Sequence, residues 1–81
     1  MGYDNAVFGH RLMMCRNNLG LSQEALAAKS GVSKDNIARY EADINKPRLD
    51  KAYDLAVALD VTLDELVGFE PLVFDSVNVS K

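Results

Sequence analysis

Phe8, Leu12, Cys15 and Leu19 fall at i, i+4, i+7 and i+11, which predicts one helix with a buried stripe. Asp4 or Asn5 is placed to cap it, and Asn18 with Gly20 marks its end. Ser22 begins a second apolar segment, Ala25 to Ala28, that Gly31 closes by supplying a left-handed terminus. Val32 is the apolar plug after that corner. Ser33 then caps a third helix in which Ile37, Tyr40 and Glu41 recur on one side, while Lys34, Asp35, Asn36 and Arg39 crowd onto the other. The first of these faces suits packing, the second a polar partner.

Ala42 to Pro47 reads as a polar loop closed by proline. A fourth helix is expected over about Leu49 to Leu59, with Leu49, Ala52, Leu55, Ala56 and Leu59 inward. Val61 bridges to a fifth, where Thr62 and Glu65 have the spacing of a capping box and Leu63, Leu66 and Val67 precede Gly68. The expected core is Phe8, Leu12, Cys15, Leu19, Leu26, Val32, Ile37, Leu49, Leu55, Leu59, Val61 and Leu66. Met13 and Met14 lie partly off the first stripe, either as boundary packing, the expectation, or as a partner-facing patch. The segment from Phe69 to Lys81 breaks the helical pattern at Pro71 and turns β-branched and aromatic. The chain thus divides into an all-α five-helix domain over residues 1–68 and a non-helical apolar tail over 69–81. That tail either folds back on the fifth helix or buries against a second copy, and the second is the expectation.

With 81 residues the chain is of a size for one small domain. A single cysteine, Cys15, excludes an internal disulfide, and its place in the stripe makes it a core residue before a redox centre. No apolar run approaches the roughly 20 residues that span a bilayer, so the expected location is the cytoplasm. One histidine, His10, and one cysteine provide neither a metal set nor a catalytic constellation, so neither an enzyme nor a cofactor is expected. The net charge of −3 weighs at first against a polyanionic partner. Its distribution reverses that: residues 1–51 carry eight Lys/Arg against six acids, whereas residues 52–81 carry six acids and only Lys81. Nucleic-acid affinity depends on local cations, and salt screens the acidic half beyond about 8 to 10 Å.

The LSQEALA run (Leu21 to Ala27), the Gly31-Val32-Ser33 corner, Ile37 with Arg39, Glu41 followed by Pro47, and ALDVTLDEL (Ala58 to Leu66) together resemble the Cro/CI-type (XRE-like) helix-turn-helix domains of bacterial and phage regulators. The likeness runs from about Phe8 to Gly68, with the motif at about residues 22–41. It implies a compact lambda-repressor-like fold and a sequence-specific transcriptional regulator, a repressor that binds a two-fold operator on double-stranded DNA as a homodimer. In this motif the second helix enters the major groove. Lys34 would then donate to guanine, Asn36 would read adenine or bond a phosphate, and Arg39 would reach guanine or the groove wall or pair with Asp35. Asp35 either accepts from cytosine or serves as a helix-dipole partner. Gln23 matches a family position that anchors phosphate and braces the recognition helix. Ser33, Asn45, Lys46 and Arg11 are the other phosphate candidates.

By the same resemblance Arg16 pairs with Glu41, tying the first helix to the end of the third. Candidates for contact with a second copy are Leu66, Val67, Phe69, Leu72, Val73 and Phe74. Relatives commonly carry Gly where Asp43 and Asp60 stand, and an Asp in a left-handed terminus costs about 1 kcal/mol more. The rival reading of the same fold is an antitoxin-like or adaptor module that binds protein. No small-molecule ligand is expected.

Overall fold

The computed structural model describes residues 5–68 and, of residues 5–7, the backbone only; Asp4 and the tail from Phe69 to Phe74 and beyond, with the roles expected of them, lie outside the described residues. Within them five helices follow one another: α1 (Asn5–Asn18), α2 (Gln23–Ser30), α3 (Lys34–Glu41), α4 (Leu49–Leu59) and α5 (Leu63–Val67). The caps expected of α2, α3 and α5 act where they were expected. Ser22, Ser33 and Thr62 accept from the backbone N–H three residues on, and Thr62 with Glu65 forms the complete capping box. Gly31 takes φ 81°, a value a side chain would resist.

Asp43 and Asp60 also lie in the left-handed region, at φ 61° and 60°. At both, paired backbone bonds form a Schellman closure. Asp43 N–H donates to Tyr40 O and Ile44 N–H to Arg39 O; Asp60 N–H donates to Val57 O and Val61 N–H to Ala56 O. The geometry normally reserved for glycine is therefore held by two aspartates.

α1 packs on α3 and α5, α2 lies between α3 and α4, and α4 closes against α5. Phe8, Leu12, Cys15, Leu26, Val32, Ile37, Leu55, Leu59 and Leu66 are buried as expected, with Val61 packed against them at the margin. Burying each large side chain contributes about 1.5–3 kcal/mol. Tyr40, Ala52, Ala56 and Ala58 complete the core, and the Phe8 and Tyr40 rings meet edge to face at 6.3 Å.

Two expected core residues are not in it. Leu19 is 40% exposed, because α1 stops at Asn18 and the closing turn, in which Leu21 N–H donates to Arg16 O, carries Leu19 out of the helical register and brings Leu21 to the core. Leu49 is 72% exposed. It opens α4, and at 3.6 residues per turn it stands roughly 60° round the helix from Ala52, towards Tyr53 and Val57. Leu66, also a candidate for contact with a second copy, is wholly buried in its own domain and has no surface to offer one.

Gly9 is a feature the apolar pattern does not disclose. It sits inside α1 where a Cβ would lie 2.7 Å from Tyr40 O, 2.9 Å from Glu41 O and 2.9 Å from Asp43 Oδ1. The missing side chain lets α1 approach the last carbonyls of α3 directly.

Candidate nucleic-acid interface

α3 has eight residues, too few to be stable alone, so its pose depends on what holds its two ends. At the start, Ser33 Oγ accepts from Asn36 N–H at 3.1 Å. Along the inner face Ile37 and Tyr40 enter the core. At the end, Glu41 is gripped from two other elements. Arg16 of α1 donates from Nε to Glu41 Oε2 at 2.7 Å and from Nη2 to Oε1 at 2.9 Å; Gln23 of α2 donates to the same Oε1 at 3.0 Å. Arg16 further donates from Nη1 to Leu21 O at 2.9 Å, in the link between α1 and α2.

With side chains only 13% and 7% exposed, this is the partly buried salt bridge expected of Arg16 and Glu41. Its hydrogen bonds to the Glu41 carboxylate hold the Arg16 guanidinium above its ordinary pKa, against the opposing pull of burial. Gln23 therefore braces α3 through Glu41, one of the two roles anticipated for it.

The outer edge of α3 presents Lys34, Asp35 and Arg39 to solvent, with Asn36 half-buried beside them. Arg39 Nε lies 3.1 Å from Asp35 Oδ2, one turn back on the same helix. Lys34 Nζ lies 4.0 Å from Glu24 Oε2 in the first turn of α2. The cations of this edge thus each have a carboxylate at hand, and that of Glu24 has no sequence signal, because no helical spacing connects residues ten apart across a corner.

Asn45 and Lys46 are exposed in the loop after α3. Ser33 keeps its hydroxyl proton while its oxygen caps the helix. Arg11 is tied to another element: its Nη1 donates to Glu65 O on α5 at 2.8 Å, a link between α1 and α5 remote in sequence from the motif. Among the described residues no cluster of three or more His, Cys, Asp or Glu could hold a metal ion, and no helix is long and apolar enough to cross a membrane. Cys15 is enclosed in the core, and burial, aided by the charge of Glu65, pushes its thiol up to about 11.

Residues 12–66 match the helix-turn-helix family. The chain is 39% identical over 62 residues to YobD of Bacillus subtilis (strain 168), an uncharacterised HTH-type transcriptional regulator, covering 76% of this chain and 55% of that protein. The chain therefore spans little more than half the length of that relative. Among solved structures it resembles the restriction-modification controller protein C.AhdI from Aeromonas hydrophila, with 38% identity, a TM-score of 0.75, and coverage of 78% of this chain and 96% of that one. It also resembles the P22 c2 repressor, solved with a synthetic operator, at 28% identity and a TM-score of 0.74, covering 79% of this chain and 97% of that one. The all-α fold, the capped corner between α2 and α3 and these likenesses agree: the chain belongs to the Cro/CI-type helix-turn-helix family.

Proposed function

We propose that this protein is a cytoplasmic, sequence-specific DNA-binding transcriptional regulator, a repressor without catalytic activity that acts as a homodimer on a two-fold operator. The observation that carries this reading is α3 itself, a short helix fixed at both ends whose outer edge is polar, solvated and tipped with groups that match base edges. Lys34 and Arg39 suit guanine, Asn36 suits adenine, and Asp35 suits a cytosine amino group or orients Arg39. Gln23 on α2, Ser33 at the start of α3, and Asn45 and Lys46 in the loop after it suit phosphate oxygens, which set position without reading sequence. Arg11 is a weaker candidate for that task, given its bond to Glu65 O. The similarity to the P22 c2 repressor supports the direction of regulation.

The surface assigned to the second copy is the outer side of α4. Leu49, Tyr53 and Val57 recur every fourth residue at 72%, 59% and 61% exposure. Leu49 and Tyr53 also line, with Arg48, Asp50 and Leu63, a groove of about 720 Å³. The charges beside this strip are Arg48 and Asp50 at its start and Asp54 and Asp60 further along. A two-fold axis that sets two such apolar strips against each other gives an isologous contact, the same patch from both copies. Half-sites would then lie roughly one helical turn, or 34 Å, apart. Val67, half-buried at the end of α5, and the tail residues Phe69, Leu72, Val73 and Phe74 remain candidates to extend the contact.

Selection of bound duplexes from a random pool, at two salt concentrations, tests the reading. A palindromic consensus that is lost with Arg39→Ala supports it. Recovery of no enriched duplex, with a protein captured instead, favours the adaptor role. Sedimentation of Tyr53→Lys tests the contact, with a shift to monomer expected and an unchanged dimer against it.

A further inference from the structure

Glu24 belongs to none of the roles above. It is exposed in the first turn of α2, and its Oε2 lies 4.0 Å from the Nζ of Lys34, the first residue of α3. The pair therefore joins the leading turns of both motif helices, the end of the motif that faces a groove. An exposed ion pair at this distance is weak and does not lock Lys34 in place. Its effect lies in what Lys34 meets next. A lysine ammonium carries three donors on a flexible stem, so it can serve a carboxylate and an uncharged acceptor together. Guanine O6 and N7 are such acceptors and leave Glu24 its partner. Phosphate is a poorer one, because its full charge repels the Glu24 carboxylate that the same ammonium holds close by.

We infer that Glu24 is a specificity-determining residue, which discourages Lys34 from phosphate and leaves base-edge contact as its productive use. The inference rests on the DNA-reading role proposed for α3. It accounts for a carboxylate at a place where phosphate approach alone would favour none.

The test compares the full chain with Glu24→Gln, Lys34→Gln and the double variant. Fluorescence anisotropy across a salt titration measures binding to the selected consensus duplex and to a scrambled duplex of equal length. Glu24→Gln should tighten binding to the scrambled duplex roughly three- to tenfold near 0.1 M salt and steepen its salt slope by up to ~0.9, one further phosphate contact. Consensus affinity should rise less, so discrimination falls severalfold. In the Lys34→Gln background the same change should have little effect. Equal gains on both duplexes, equal gains with and without Lys34, or no change in a chain that otherwise discriminates, would each overturn the role of Glu24 while leaving the reading of α3 standing. A chain that binds neither duplex at any salt removes both.

Discussion

Replacing Glu41 by alanine removes the point at which three helices are tied. Arg16 loses both bonds to the carboxylate and keeps its bond to Leu21 O, while Gln23 loses its acceptor. Removing one member of a fully buried ion pair costs about 3–5 kcal/mol, because the survivor is left uncompensated. Here the Arg16 side chain is 13% exposed and water can reach part of the guanidinium, so a loss of roughly 2–3 kcal/mol is the better figure. A domain of this size has a total stability of only about 3–10 kcal/mol. At about 4–8 °C per kcal/mol, the melting temperature should fall by roughly 10–20 °C.

Circular dichroism melts and urea titrations of the isolated protein measure this directly. Arg16→Met with Glu41→Leu should recover part of the loss, since a paired apolar replacement leaves no orphaned charge. The base preference of whatever protein remains folded should be that of the parent. A drop below about 1 kcal/mol would show that the bonds of Glu41 in the folded state are matched by those it makes with water, and the account of how α3 is held would fail.

Three other outcomes follow from single positions. Gly9→Ala should destabilise by roughly 1–3 kcal/mol in urea titration despite alanine's better helix propensity, because its Cβ would press on two backbone carbonyls of α3; a gain in stability would mean the helices separate at little cost. Asp60→Gly and Asp43→Gly should each raise stability by about 0.5–1 kcal/mol in thermal melts, the relief at φ near 60° exceeding the added freedom of the unfolded chain; a clear fall in both would refute it. Cys15 should resist alkylation in the native state at pH 8. Because folding raises its pKa from an ordinary 9.0 to about 11, the folded form binds the proton more tightly, and this contribution to stability is whole below pH 9 and lost as pH rises from 9 to about 11. Cys15→Ala, less stable at neutral pH, should show a flatter decline over that window.

Most of the architecture was legible in the sequence because it is written in local signals. The stripe of Phe8, Leu12 and Cys15, the caps at Ser22, Ser33 and Thr62, and the break at Gly31 each act within a few residues of themselves. Leu19 and Leu49 were misplaced for the converse reason. A period holds only while the helix lasts, and Leu19 lies one residue past its end; Leu49 lies at the rim of its stripe, where burial is decided by whether another element happens to overlie it. The ion pair of Arg16 with Glu41 was accessible only through resemblance. Gly9, the bond from Arg11 to Glu65 O and the approach of Glu24 to Lys34 had no sequence signal, since each depends on the docking of elements that periodicity does not relate.

The way α3 is held separates two sets of residues that an alanine scan would otherwise merge. Ile37, Tyr40 and Glu41 fix the helix from the inside, with Gly9 admitting α1 to its last turn and Gln23 steadying Glu41 from α2. None of Lys34, Asp35 or Arg39 takes part, and all three are exposed. Orientation is therefore settled before any partner arrives, and little ordering of the helix has to be deducted from binding. Changes on the outer edge should alter which duplex is preferred while leaving the melt nearly unmoved. Changes on the inner set should lower the melt and weaken all duplexes together, because a loosened α3 loses every contact at once. A protein in which those two phenotypes could not be separated would be one whose recognition helix is ordered by DNA, and the bracket around Glu41 would then be a consequence of binding and not its precondition.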